Sequence, residues 1–292
     1  MKYRSVLFVA SVIVGCAHAH VPLPAAPSVN NATVDRGEYL VRNVAVCGGC
    51  HSADPQNPDA ALSGGREFRN WRIGVARASN LTSDRDTGLG AWSDAEIVRA
   101  IRNGVDREGH LLIPVMPFEW LDNLSDDDAF AIARYLKSQP PVRNDVESSP
   151  NLFFKMGRAL FLHPEATESV ADRGAYLARV ALCADCHTQR TGLQQKSDRS
   201  RLFAGMENPP KEFPKRPTNL TPDNDTGIGR WSETDFITTI RTGRKLNGDS
   251  LHPFMPWQQI RRMSDDDLLA IYRYLRTLPP IHSAAAATQP KR

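Results

Sequence analysis

Cys47, Cys50 and His51 stand in the stretch VCGGCHS, residues 46 to 52, and Cys183, Cys186 and His187 stand in LCADCHT, residues 182 to 188. Paired thiols at this spacing fall on one side of a single helical turn, and a histidine directly after the second thiol sets an imidazole beside them. Two such pairs can close on one zinc ion, and either pair can act as a redox disulfide. Neither chemistry needs a histidine immediately after both pairs. Covalent haem does: the thiols add across the two vinyl groups of the porphyrin, and the adjacent imidazole coordinates the iron from below. The spacing therefore predicts two haem c groups, one fixed by Cys47, Cys50 and His51, the other by Cys183, Cys186 and His187.

A second axial ligand for each iron must come from further along the chain. Met116 lies in IPVMPF and Met255 in HPFMPW, each with a proline on either side. A thioether is a soft ligand suited to haem iron, and the proline after it stiffens the loop that presents it. A lone methionine would be read as core packing. The duplicated Met-Pro reverses that reading, whereas Met206 and Met263 have no counterpart in the first half. His110 and His252 lie near these loops at non-equivalent positions and are read as surface residues.

The elements that must position these groups are themselves repeated. DRGEYLVRNVAVCGGCH from Asp35 parallels DRGAYLARVALCADCH from Asp172, with one residue fewer in the second copy. NLTSDRDTGLGAWS from Asn80 parallels NLTPDNDTGIGRWS from Asn219, and the match continues without a gap to Pro141 and Pro280. This is a tandem duplication of one domain rather than a solenoid. In each copy a first helix, about Asp35 to Val46 in copy one, runs into the cysteine pair. Ser93 and Ser125 are of N-cap type with acidic residues after them, and Pro140-Pro141 stops the last helix. Ser264 with Asp265 to Asp267 repeats the second cap, so the acidic triplets read as helix-dipole partners rather than a cation site. The loops from Ser52 to Ser79 and from Thr188 to Thr218 are long and need something to pack against, which a haem supplies. NLFFKMGRALFL, between the copies, reads as an amphipathic helix packing between them, its Met156 and, just beyond it, His163 as core and surface residues. Trp92 and Trp231, at matched positions, are either donors to a haem propionate or core aromatics. Arg36 and Arg173 either neutralise propionates or solvate a helix start. Asn80 and Asn219 open Asn-Leu-Thr triplets read as structural loops.

The expected class is all-α: two tandem domains of short helices and long loops wrapped around covalent haem, over residues 35–142 and 172–281. Residues 143–171 link them, 20–34 form a leading linker and 282–292 a polar tail. With 36 Lys and Arg against 33 Asp and Glu, net charge is near neutral at +3, and no basic run interleaves with aromatics as a nucleic-acid groove requires. Lys2 and Arg4 precede an apolar run from Ser5 to Gly15, too short to span a bilayer, so residues 1–19 read as an export signal. Ala17-His18-Ala19 offers one cleavage site. Ile13-Val14-Gly15-Cys16 resembles a lipobox in which Cys16 becomes a lipid anchor, and this accounts for the fifth cysteine; otherwise Cys16 is discarded with the leader. The chain is expected in the periplasm, anchored to the membrane at most by that lipid.

The two Cys-x-x-Cys-His sets, the paired NLT segments, the Met-Pro loops and DDDLLAIYRYLRTLPP resemble the class I c-type cytochromes, and more narrowly the multihaem cytochrome subunits of bacterial membrane-associated dehydrogenases. The resemblance covers Asp35 to Pro280. It implies two cytochrome c folds and electron transfer without bond-making on a substrate, with a dehydrogenase as donor and a small cytochrome or terminal oxidase as acceptor. A dihaem cytochrome c peroxidase also carries two such motifs, but it needs an iron with an open sixth position, and the Met-Pro loop stands in both copies. An enzyme using cysteine as an axial ligand is disfavoured by arithmetic, since only Cys16 is uncommitted.

Overall fold

The computed structural model of the protein describes residues 21–27, 33–161, 170–192, 195–211 and 213–284, with 157–161 described by backbone alone. The leader with Cys16, His163 and most of the polar tail lie outside the described residues. The first half runs α1 (Val34–Tyr39), α2 (Gly48–His51), the hairpin β1 (Glu67–Asn70) and β2 (Gly74–Arg77), then α3 (Asp94–Asn103), α4 (Phe118–Leu121) and α5 (Asp126–Ser138). Strand β3 (Ser149–Pro150) and α6 (Leu152–Phe161) follow. The second half runs α7 (Arg173–Val180), α8 (Cys183–His187), β4 (Arg190–Thr191), β5 (Lys196–Ser197), α9 (Glu233–Thr242), α10 (Trp257–Ile260) and α11 (Asp265–Thr277).

The architecture is chiefly helical, and the departure from an all-α class lies in the long loops. There β1 and β2 pair antiparallel with Glu67 opposite Arg77, β3 adds to β2 through Val75 and Ser149, and β4 pairs with β5. These strands were not legible because they are two to four residues long and carry no sustained alternation.

The single extra residue of the first copy has a local solution. Between α1 and the cysteine motif the chain widens into a π-turn over Leu40–Val44, where Ala45 N reaches back five residues to Leu40 O at 2.7 Å. The second copy, one residue shorter, keeps α7 regular to Val180. Both routes deliver the chain to the cysteine pair.

Each half is built on a crossing of its first and last helices. Gly37 of α1 abuts the backbone of α5: a β-carbon there would lie 2.0 Å from Ala131 O, and one at Gly174 would lie 2.1 Å from Ala270 O of α11. Glycine at these two positions is what lets the helices approach. The last helices are capped as expected, Ser125 Oγ accepting from Asp128 N and Ser264 Oγ from Asp267 N, each at 3.2 Å. Ser93 forms a full capping box with Glu96, and Ser232 with Asp235.

The third aspartate of each acidic triplet does more than face a helix dipole. Asp128 and Asp267 are buried. Arg36 grips Asp128 with Nε at 2.8 Å and Nη2 at 2.9 Å, and Arg173 Nε donates to Asp267 at 3.0 Å. Each carboxylate also receives a phenol from the other half: Tyr176 Oη donates to Asp128 Oδ2 and Tyr39 Oη to Asp267 Oδ2, both at 2.6 Å. Arg36 and Arg173 are thus committed to these aspartates. Helix α6 forms as expected, but it does not insert between the halves: Phe154 packs with Val105 and Leu111 of the first half, while Leu152, Phe153 and Met156 are exposed.

Candidate functional site

Helices α2 and α8 are one-turn elements whose sequence is the motif itself. In each, the histidine ring is tied to a carbonyl ahead of the Asn-Leu-Thr triplet: His51 Nδ1–H donates to Ser79 O at 2.8 Å and His187 Nδ1–H to Thr218 O at 2.7 Å. A carbonyl only accepts, so this bond fixes the proton on Nδ1 and leaves Nε2 with its lone pair for a metal. Burial pushes both imidazoles below their ordinary pKa, with the carbonyl partly offsetting it, so they stand neutral.

The Asn-Leu-Thr segments hold those carbonyls still. Asn80 Nδ2 donates to Val142 O at 2.7 Å and to Thr87 Oγ1 at 3.1 Å, while its Oδ1 accepts from Thr82 N and Thr82 Oγ1. Asn219 repeats the pattern on Ile281 O, Thr226 and Thr221. Each loop is thereby stapled to the chain beyond the last helix of its own half, which is the structural role read from the duplication.

Cys47, Cys50, Cys183 and Cys186 form no disulfide. Burial pushes Cys47 and Cys183 up to about 12 and raises Cys50 and Cys186 as well. Such thiols are not the low-pKa kind that drives disulfide exchange. Among the described residues the cluster with metal-ligand spacing, the half-buried Asp106 with the exposed Glu108 and His110, includes no cysteine.

The methionines are presented by matching turns. Met116 N bonds to Ile113 O at 3.2 Å and Met255 N to His252 O at 2.9 Å; Pro117 and Pro256 then open α4 and α10. The aromatic residue after each proline packs on the left-handed glycine that ends the preceding long helix. Gly104 (φ 64°) lies under Phe118 and Gly243 (φ 69°) under Trp257, and a β-carbon at either would come within 2.8 Å of the ring. His110 is exposed and 3.4 Å from Asp106. His252 is exposed, accepts from Phe254 N and lines the cavity described next, beside Met255.

A cavity of about 990 Å³ joins these parts. Cys183, Cys186, His187 and Met255 line it together with Cys50 and Met116, and its walls include Leu220, Ile228, Phe236 and Ile271. Among the residues lining this cavity, five carry a buried polar atom without a partner: the indole Nε1–H of Trp231, the hydroxyl of Thr239 and the Nε–H groups of Arg72, Arg102 and Arg190. A buried donor left unmet costs about 1–3 kcal/mol. An apolar-walled space of this size, bounded by thiols, an imidazole and a thioether and rimmed with unmet donors, fits a flat apolar macrocycle bearing carboxylates. Trp231 is buried among the core aromatics, and its indole N–H has no protein partner. Sequence reasoning passed over Thr239, whose counterpart in the first copy is Ala100. The first-half Trp92 is half-buried and does not line this cavity.

Comparison with known proteins agrees with this chemistry. Residues 32–136 match the family model described as cytochrome C oxidase, cbb3-type, subunit III. The chain is 30% identical to the alcohol dehydrogenase (quinone) cytochrome c subunit of Gluconobacter oxydans, over 96% of the chain and 60% of that protein. It is 31% identical to the gluconate 2-dehydrogenase cytochrome c subunit of Pantoea cypripedii, over 85% of the chain and again 60% of the relative. A diheme cytochrome c-type protein of Cereibacter sphaeroides is 27% identical over 80% of the chain and 82% of its own length. The chain thus spans about three fifths of the length of the dehydrogenase subunits it matches. Residues 32–136 are a cytochrome c domain, and the chain is homologous to cytochrome c subunits of dehydrogenases.

Proposed function

We propose that this chain is a dihaem c-type cytochrome of two cytochrome c domains, residues 35–142 and 172–281, that carries electrons in the bacterial cell envelope between a dehydrogenase and a respiratory acceptor such as a small cytochrome or a terminal oxidase. Cys47 and Cys50 hold one haem and Cys183 and Cys186 the other, His51 and His187 are the proximal ligands, and Met116 and Met255 occupy the sixth positions. One observation carries the reading: a thiol pair, a histidine with its Nδ1 already engaged and a Met-Pro turn line one apolar cavity, and the same parts recur in the first half. Iron that cycles between ferric and ferrous states is the chemistry the bound group supplies. The chain's own work is to fix each imidazole by a carbonyl, close the opposite face with a thioether, and exclude water with apolar walls. A thioether sixth ligand favours the reduced state relative to a second histidine, so both potentials are comparatively high. Export by the N-terminal leader, with cleavage before Cys16 and that residue as a lipid anchor, belongs to the same reading. Among the described residues no helix is long and apolar enough to cross a membrane.

The test is an optical spectrum of the holoprotein with a carbon monoxide challenge. Two haems per chain, the long-wavelength band of methionine-ligated ferric iron and no carbon monoxide shift support the reading. A high-spin fraction that takes carbon monoxide in the unaltered protein overturns the closed-ligand assignment and moves a peroxidase-like enzyme forward. Met255→Ala keeps both haems attached, lowers the potential of one and opens that one to carbon monoxide.

A further inference from the structure

The short helix that follows each Met-Pro turn does not rest on its own half alone. Gln56, in the first-half loop five residues beyond His51, donates from Nε2 to Pro253 O at 3.1 Å, two residues before Met255, and accepts from Gln258 Nε2 of α10. Gln259, buried on α10, donates to Pro55 O at 2.6 Å, and Arg262 Nη1 donates to Asp59 Oδ1 at 2.7 Å. Pro256 itself lies against the first cysteine motif, since a β-carbon at Gly49 would sit 3.9 Å from Pro256 Cβ. The opposite grip uses different residues. Arg199 of the second half stacks over the ring of the fully buried Trp120 on α4, 4.2 Å from its centroid, and pairs with Glu119 at 3.2 Å. Arg179 of α7 donates to Asn123 Oδ1 at 2.9 Å, just past α4.

We propose that each half holds the methionine turn of the other: Gln56 and Asp59 steady the turn of Met255, and Arg199 steadies the turn of Met116. This rests on the reading of the two methionines as sixth ligands. Gln56, Asp59 and Arg199 are positioning residues, acting through α10 and α4. The thioether–iron bond is soft and its ligand sits in a turn with few backbone bonds of its own, so a grip on the adjoining helix sets how often the sixth position opens. The consequence is crossed: a change in the first half loosens the ligand of the second haem, and a change in the second half loosens that of the first.

The experiment is carbon monoxide binding to reduced holoprotein in two backgrounds, with haem counted per chain and the long-wavelength ferric band recorded. Met116→Ala holds the first haem open and Met255→Ala the second, each taking one carbon monoxide per chain. In the Met116→Ala background, Gln56→Ala with Asp59→Ala raises carbon monoxide uptake at the second haem at least tenfold, whereas Arg199→Ala adds nothing. In the Met255→Ala background the two responses exchange. Gln56→Glu, exposed and harmless to folding, keeps an acceptor for Gln258 but cannot donate to Pro253 O, and it weakens the second site in the same direction. The proposal is overturned if these changes act on the haem of their own half, act equally in both backgrounds, or leave uptake at the level of the background. If Met116→Ala and Met255→Ala themselves take no carbon monoxide, the ligand reading fails first and this inference falls with it.

Discussion

At the residue scale the molecule spends its polar chemistry on holding a few groups in one protonation state. The two histidines stay neutral with Nδ1–H on a carbonyl, which leaves Nε2 of each ring as the lone-pair donor. Asp122, at the end of α4, is a different case. Burial raises its pKa to about 6, with Glu119 adding to the rise and Arg199 and Arg179 opposing it. A carboxyl whose folded pKa lies above its unfolded value destabilises the fold wherever the unfolded chain ionises more readily. That cost is full above about pH 6 and fades as pH falls toward the ordinary carboxylate range, reaching zero below it. Asp122→Asn should therefore raise the melting temperature of the holoprotein at pH 7, and the gain should vanish in melts run near pH 4. A gain that is the same at both values would show that burial of the charge is not the cause. Spacing and duplication mark the cysteines, histidines and methionines in the sequence, and Cys50, Met116, Cys183, Cys186, His187 and Met255 line one cavity in the structure. Asp122, Thr239 and the roles of Asp128 and Asp267 were not legible in the sequence, since what distinguishes them is burial and, for the last two, partners more than 40 residues away in the chain.

At the scale of elements, the caps and stops of the long helices were readable from Ser93, Ser125, Ser264 and Pro140-Pro141, and the structure uses each of the three serines as a cap. The roles of Arg36 and Gly37 were not readable from a helix pattern, because both depend on what crosses the helix. Gly174 makes the point quantitatively. An exposed glycine within a helix gains about 0.5–1 kcal/mol when changed to alanine. Here the new β-carbon would meet the backbone oxygen of Ala270 and the Cβ of Tyr274, neither of which can swing aside. Overpacking of this kind costs about 1–3 kcal/mol, so the clash wins and Gly174→Ala should destabilise α7 against α11, seen as a lowered denaturant midpoint in the holoprotein. The π-turn over Leu40–Val44 shows why the repeat could not be overlaid helix for helix: an inserted residue inside a helix that must still deliver Cys47 to the same place is absorbed as one wide turn.

At the scale of the whole molecule, two phenols bind two carboxylates across the halves. Hydrogen bonds to a charged group contribute about 1.5–3 kcal/mol each, and both aspartates keep an arginine when the phenol is lost. Tyr39→Phe with Tyr176→Phe should therefore lower stability by about 3 kcal/mol or more while leaving both haems attached, and hydrogen exchange should quicken first at the start of α5 and α11, where Ser125 N and Ser264 N also meet these phenols. Protection unchanged at those amides would mean the phenols contribute nothing across the boundary. The same arrangement has an implication for how such a molecule arises. Tyr39 meets Asp267 just as Tyr176 meets Asp128, which is the self-complementary contact of a two-fold dimer. One tyrosine and one aspartate per copy therefore supply both sides of the joint, so the tandem repeat has the form of a tethered pair. Once tethered, the copies were free to diverge without breaking the joint: one took an extra residue into its first helix, one took Gln56 where the other uses Arg199, and one placed threonine where the other has alanine. Symmetry kept the assembly, and its gradual loss is what leaves the surroundings of the two Cys-x-x-Cys-His motifs chemically different.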